Sequence, residues 1–172
     1  MITSVPKLIE YPQFRDERGT FQKVFTRTCI DQIDQIFEPK EAFYSVSKRG
    51  VLRGMHFQKP GAAHNKLVAV IDGSILDVVV DLRNSSNDYG KTFSFVLNAK
   101  QGKSLFIPKG FAHGFYAIDN ATVMYLVDHE YSAAHDDGVL WNSINFDWPD
   151  ANPTVSQRDS SFEPLVSFES PF

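Results

Sequence analysis

The chain has 172 residues, 42% of them hydrophobic and 13% aromatic, the size and make-up of one ordinary domain with a substantial core. Seventeen Lys and Arg against 21 Asp and Glu leave a net charge of −4, which excludes a global positive field drawing the chain to nucleic acid or to an anionic membrane. Cys29 has no second cysteine to pair with, residues 1–12 lack a basic and then apolar leader pattern, and the apolar runs are far too short to span a bilayer, so a soluble cytoplasmic protein is expected.

In chain order, the first regular element expected is a short helix. It starts near Thr28, whose hydroxyl can cap the first turn, and carries Ile30, Ile33, Ile36 and Phe37 on one face. After it the chain reads as strands: Lys66–Ile71, Ile75–Leu82, Phe93–Leu97, Ser104–Ile107 and Thr122–Val127 are short, rich in Val, Ile and Phe, and separated by Gly, Pro, Asn or Asp. Many short strands predict an all-β antiparallel sandwich or barrel. Asp72-Gly73 stands between two of these runs and predicts a two-residue hairpin turn. No repeat or linker divides the chain, so a single domain over 1–172 is expected, with its core at about 18–159. Residues 160–172 lose strand periodicity, carry Pro164 and Pro171, and are expected to wrap loosely or fray.

The most informative segment is Pro108-Lys109-Gly110-Phe111-Ala112-His113 at the end of a strand. A Pro-x-Gly turn with a histidine three residues beyond it resembles the second motif of the cupin superfamily, whose double-stranded jelly roll holds its site inside the barrel. Metal-binding cupins add a His-x-His pair, because borderline cations need imidazoles and an oxygen held together. Here His56 is followed by Phe57-Gln58, so a metal-free barrel is expected, although His64 and His113 can in principle join His56 around an ion. In Arg53-Gly54-Met55-His56-Phe57, strict alternation puts Arg53 and His56 on opposite faces unless Gly54 permits a bulge. Asp77 and Asp81 share a sheet face, and at least one of them is expected to pair structurally with a cation such as Arg83.

Several segments in the same order resemble the dTDP-4-dehydrorhamnose 3,5-epimerase family. They are Asp16-Glu17-Arg18-Gly19-Thr20-Phe21, Gly50 to Gln58, Lys66-Leu67-Val68, Gly73 to Arg83, Pro108 to Phe115, Val123-Met124-Tyr125 and Ser156-Gln157-Arg158-Asp159. The resemblance implies a cupin jelly roll, no metal or other cofactor, a nucleotide-diphosphate sugar as substrate, and a homodimer. It makes His56 the general base, Asp159 the carboxylate that orients it, and Tyr125 the acid on the other face of the sugar. It places Lys66 and His113 near the ketone oxygen, Arg18 and Arg53 on the diphosphate, and Asp136 where the family has a glutamate contacting substrate.

The chemistry accounts for these residue types. Removing a proton from C3 or C5 of a 4-keto sugar leaves an enolate with its charge on the C4 oxygen, where a cation such as Lys66 must wait. Imidazole is a suitable base near pH 7, and inversion needs a second group to return a proton from the opposite side. The chain departs from the family at Lys23, where a glutamate is usual, and at Ala42-Phe43-Tyr44, where a Gln-x-Asn pair is usual. Lys23 can contact phosphate and Tyr44 can stack on a base or sugar, so nucleotide and sugar identity stay open. So does the choice between inversion at both centres and at C3 alone. A metal-dependent cupin enzyme and a nucleotide-sugar-binding module without turnover are the other readings.

Overall fold

The computed structural model describes residues 5–31, 33 and 35–172. Its strands are β1 (Lys7–Glu10), β2 (Gln13–Asp16), β3 (Gly19–Gln22), β4 (Glu41–Ser47), β5 (Leu52–Gln58), β6 (Lys66–Asp72), β7 (Ser74–Asp81), β8 (Thr92–Asn98), β9 (Lys103–Ile107), β10 (Phe111–Ala117), β11 (Ala121–Val127) and β12 (Asp136–Gly138). Two five-stranded sheets result, ordered β1-β9-β6-β11-β4 and β12-β5-β10-β7-β8, with β2 and β3 forming a separate two-stranded ribbon. All the pairings between these strands are antiparallel. This is the jelly-roll arrangement of two facing sheets, and the five strand segments read from the sequence all lie within or on strands of it.

The Asp72-Gly73 hairpin does not form. Gly73 does make a sharp turn at φ +74, but β6 pairs with β9 and β11 while β7 pairs with β8 and β10, so the turn is a corner between sheets. The local turn chemistry is that of a sharp turn, whereas strand partners depend on which sheet face each strand packs against, which the turn residues do not encode.

The helix is also shorter than expected. Helix α1 spans only Arg27–Ile30, and its cap is Thr26, whose hydroxyl accepts from the Cys29 amide at 3.2 Å. Ile30, Ile33 and Phe37 are buried as foreseen, but Ile36 is 81% exposed because the chain does not continue as a helix to bring it onto that face. Such a short isolated helix has little intrinsic stability, so packing of Ile30 and Phe37 decides where the segment lies. Phe37 meets Phe106 edge-on at 5.6 Å and Phe25 at 6.1 Å, closing the outer side of the β9-β6-β11 sheet.

Apolar side chains fill three layers. Val68, Ile75, Val79, Leu105 and Phe115 lie between the sheets; Leu67 and Phe106 pack under the α1 segment; and Met55, Phe57, Val78, Val80 and Leu82 form the outer face of the second sheet. Val78-Val79-Val80 is continuous because β7 is covered on both faces. The cover comes from the C-terminal segment, which corrects the expected loose tail. Phe168 and Phe172 meet Phe57 edge-on at 5.7 and 5.5 Å, Val139 bridges Glu163, and the Asn84 amide donates to the Phe172 carbonyl at 2.9 Å. The segment lacks strand periodicity because its aromatics bury from irregular backbone. Asp81 meets the structural expectation, pairing with Arg83 at 2.6 Å.

Strand β5 carries the bulge that alternation left open. Its register against β10 moves from His56↔His113 to Arg53↔Phe115, so that two residues of β5, Gly54 and Met55, oppose the single Gly114 of β10. Gly54 sits at φ +134, and a Cβ there would lie 2.5 Å from the Gly114 Cα, so backbone meets backbone and neither can yield. Gly54→Ala is therefore expected to destabilise the fold by about 3 kcal/mol, lowering Tm by roughly 6–12 °C. An unchanged melting temperature by calorimetry would show that the β5–β10 approach is not constrained there.

Candidate active site

A cavity of about 370 Å³ opens between the two sheets and is lined by side chains of both. From the β5-β10 wall come Arg53, His56 and His113; from the facing β4-β11-β6 wall come Ser45, Tyr125 and Lys66. The bulge at Gly54 is what lets Arg53 and His56 reach the same space.

His56 Nε2 lies 2.8 Å from Asp159 Oδ1, and the Gly54 amide donates to Asp159 Oδ2 at 3.0 Å. A carboxylate can only accept, so Nε2 carries the proton and the basic lone pair sits on Nδ1. Asp159 is buried at the start of a short 3-10 turn, Asp159–Ser161. Burial pushes its carboxyl up, but the hydrogen bond and charge of His56, the Gly54 amide and Ser156 outweigh this and hold it below the ordinary carboxylate range. Phe162 meets the imidazole edge-on at 5.8 Å and fixes its plane.

His113 is buried, with Nε2 2.8 Å from Oδ2 of the fully buried Asp77. Burial lowers the His113 pKa against the opposing pull of Asp77, so the ring is held neutral and donates to that carboxylate. Lys66, half-buried, has its pKa brought down to about 8 by burial, against Asp77 and Asp136, which favour the charged form. Beside it the Nδ1 atom of His64 has no hydrogen-bond partner among the described residues; burial, then Lys66 and His129, lower its pKa to about 3 against a backbone hydrogen bond at Ala62, so it stays neutral.

Tyr125 is buried with its hydroxyl 3.1 Å from Ser45 Oγ and its ring stacked on Phe43 at 4.8 Å. Burial pushes the phenol well above its ordinary pKa. Arg53 donates from Nε to Ser47 Oγ at 2.9 Å and from Nη2 to the Val46 carbonyl at 3.1 Å, tying β5 to β4 across the mouth. Asp136 also lines the cavity; it accepts from Gln58 Nε2 at 3.1 Å and from Arg158 Nη2 at 2.6 Å.

The structure thus brings together His56, Lys66, Tyr125, Arg53, His113 and Asp136, with Asp159 directly behind His56. Three other residues named from the sequence lie elsewhere. Arg18 projects from the β2–β3 ribbon, paired with Asp16, and lines a separate depression beside Phe14 and Phe21. Lys23 is exposed and lines none of the described cavities. Tyr44 is 71% exposed on the outer face of β4, because alternation sends its neighbours Phe43 and Ser45 inward. The aromatic of this segment that lines the cavity is therefore Phe43.

Sequence reasoning passed over Ser45, Phe43, Gln58, Tyr131 and Arg158, all of which line the cavity. Pairing β4 against β11 would have flagged the first two by parity with Tyr125, and alternation from His56 flags Gln58. Tyr131 and Arg158 sit on irregular backbone and give no periodic signal. Among the described residues no three His, Cys, Asp or Glu side chains are grouped so as to hold a metal ion, and no helix is long and apolar enough to cross a membrane.

Residues 4–167 match the family model described as dTDP-4-dehydrorhamnose 3,5-epimerase. The chain is similar to the dTDP-4-dehydrorhamnose 3,5-epimerase of Shigella flexneri, 37% identical over 170 residues covering 95% of this chain and 94% of that one. Among solved structures it resembles the dTDP-4-dehydrorhamnose 3,5-epimerase of Bacillus anthracis with TDP and pyrophosphate bound (38% identity, TM-score 0.86, covering 91% and 92% of the two chains). It also resembles the dTDP-6-deoxy-D-glucose-3,5-epimerase of Legionella pneumophila in complex with dTDP-4-keto-L-rhamnose (30% identity, TM-score 0.90, covering 95% and 89%).

Two outcomes follow from the electrostatics. If the Lys66 ammonium does the work at the cavity floor, kcat/KM of the free protein falls as pH rises through about 8, and the alkaline limb disappears in Lys66→Arg, whose guanidinium does not titrate there. Asp159→Asn keeps the shape but removes the charge behind His56, and a loss of about 10²–10⁴-fold in kcat is expected. Steady-state rates across pH 6–10 test both.

Proposed function

The chain belongs to the dTDP-4-dehydrorhamnose 3,5-epimerase family, and on that premise we propose that it inverts carbons flanking the ketone of a dTDP-linked 4-keto-6-deoxy hexose, with His56 as base and Tyr125 as acid. The observation that carries this reading is the placement of the two groups on facing sheets. A sugar ring lying between the sheets presents one face to His56 and the other to Tyr125.

In this mechanism His56 Nδ1 takes the proton from C3 or C5, and the electron pair of the broken C–H bond moves through the new C=C bond onto the C4 oxygen. Asp159 stabilises the imidazolium that results, since a carboxylate at 2.8 Å favours the charged ring. Lys66 faces the enolate oxygen; a unit charge pair 4 Å apart is worth about 4 kcal/mol at the effective dielectric of a protein interior near its surface. Tyr125 delivers its proton to the same carbon from the opposite side, and the inverted ketone re-forms. His56 then releases its proton and the phenolate recovers one, so no net proton is consumed. The enolate charge is met by Lys66, and the reaction needs no metal.

Arg53 and Arg158 at the cavity mouth supply the local cations that an anionic diphosphate needs on a chain of net charge −4. Arg18 joins them in this reading through a homodimer. It rides on a ribbon whose Phe14 and Phe21 are 60% and 63% exposed, a surface suited to lie against a second copy. Phe43, which lines the cavity, and Lys23, where the chain departs from the family, are the residues to vary when the preferred base and sugar are mapped.

Incubation with dTDP-4-keto-6-deoxyglucose in deuterated water, followed by NMR, tests the reading. Deuterium at C3 and C5 is expected, and deuterium at C3 alone identifies a single-centre enzyme. His56→Ala is expected to abolish exchange, whereas Tyr125→Phe retains part of the exchange and loses inversion. No exchange with any of several nucleotide variants would reject the proposed reaction, and sedimentation at micromolar concentration decides the dimer.

A further inference from the structure

We propose that Ser45 is a positioning residue for the acid, its hydroxyl aiming Tyr125 at the substrate and donating to the phenolate left once the proton has been delivered. The proposal rests on the reading of Tyr125 as the acid. It arises from the way β4 lies against β11. Their register pairs Tyr125 with Phe43 and Val123 with Ser45, so Ser45 is the diagonal neighbour of Tyr125 on the cavity side.

The tyrosine is held at three points. Phe43 covers one ring face at 4.8 Å with planes 18° apart, His113 meets the ring edge-on at 6.3 Å, and Ser45 Oγ reaches the hydroxyl at 3.1 Å. Either oxygen of that last pair can be the donor. A phenol has one proton and can also accept, so the two arrangements differ in consequence. With Tyr125 donating to Ser45, its proton points away from the sugar; with Ser45 donating, the proton is free for the enolate carbon.

Proton delivery breaks the Tyr125 O–H bond, forms the new C–H bond and leaves the electron pair on oxygen. That phenolate stands in a buried place, and burial is what pushes the phenol upward in the first place. Two neighbours act in the other direction, the Ser45 hydroxyl and the charge of Arg53, while the Asp77 carboxylate works against it. The same strand holds Arg53 in place, through Ser47 Oγ at 2.9 Å. Ser45 and Ser47, two residues apart and both inward, thus serve the acid directly and through Arg53. Neither serine bonds to His56, whose partner is Asp159.

This separation makes the role measurable. In deuterated water with dTDP-4-keto-6-deoxyglucose, Ser45→Ala is expected to keep solvent exchange on the His56 face near the parent rate. Inversion should slow by about 10–100-fold, the worth of one hydrogen bond to a charged oxygen, with KM changed less than about threefold. Ser45→Thr, which retains the hydroxyl, is expected to restore inversion. Undiminished inversion in Ser45→Ala, an equal loss of exchange and inversion, or failure of Ser45→Thr to restore it each overturns the proposal. Tyr125→Phe measured alongside separates the two readings. Full inversion in that variant removes the acid itself, whereas impaired inversion there with a fully active Ser45→Ala removes only the role of the serine.

Discussion

The Asp159 carboxylate holds two points of one strand at once, the His56 ring through one oxygen and the Gly54 amide through the other. The second bond matters as much as the first. Gly54 is where β5 departs from alternation, and that departure turns Arg53 and His56 toward a common cavity. One buried anion therefore fixes the tautomer of the imidazole, steadies the bulge that aims it, and stands ready to balance the charge the ring acquires. Removing it would disturb geometry and electrostatics together, which is why a charge-only replacement is the informative one.

The opposite wall is organised by a different means. Lys66 and Tyr125 are both carried on strands at the middle of their sheet, where β6 and β11 have neighbours on each side. Their burial has opposite electrical effects, weakening the hold of the lysine on its proton and strengthening that of the phenol. Both shifts suit the proposed reaction. A lysine near 8 is charged at neutral pH yet readily shares a proton with a developing enolate, and a reluctant phenol parts with its proton only to a strongly basic carbon.

Much of this was legible before the coordinates. Residue type and spacing carried the strands and the histidine after the Pro-x-Gly turn, whereas the set His56, Lys66, His113, Tyr125 and Asp159 came from the resemblance to the epimerase family. What escaped was decided by partners distant in sequence. Asp72-Gly73 has the chemistry of a hairpin, but nothing local says that the strands it joins belong to different sheets. Tyr44 looked like the aromatic of the site until β4 was paired with β11, which turned Phe43 inward and Tyr44 out. Ile36 fits a helical stripe, yet α1 stops after Ile30 because packing of Phe37 against Phe106 outweighs weak local propensity.

The C-terminal segment that covers the second sheet also carries Asp159. Its anchors are scattered contacts rather than a ladder: parallel bridges at Thr154 and Glu163, the aromatic contacts of Phe168 and Phe172 with Phe57, and single hydrogen bonds such as the Asn84 amide to the Phe172 carbonyl, the Leu165 amide to Ser143 Oγ and Arg158 to Asp136. The sheets, by contrast, are laced by continuous ladders. A segment so held opens by sub-global fluctuation at lower free energy than the barrel unfolds. In the opened form both walls survive, with Lys66, Tyr125 and Arg53 in place, but His56 has lost its carboxylate and Gly54 its tether. Such a molecule can still take up ligand without turning it over. The fraction of molecules with His56 and its carboxylate paired is thus governed by a local equilibrium in this segment, so mild heat or dilute denaturant is expected to silence the proposed base while the β-sheet signal is still intact.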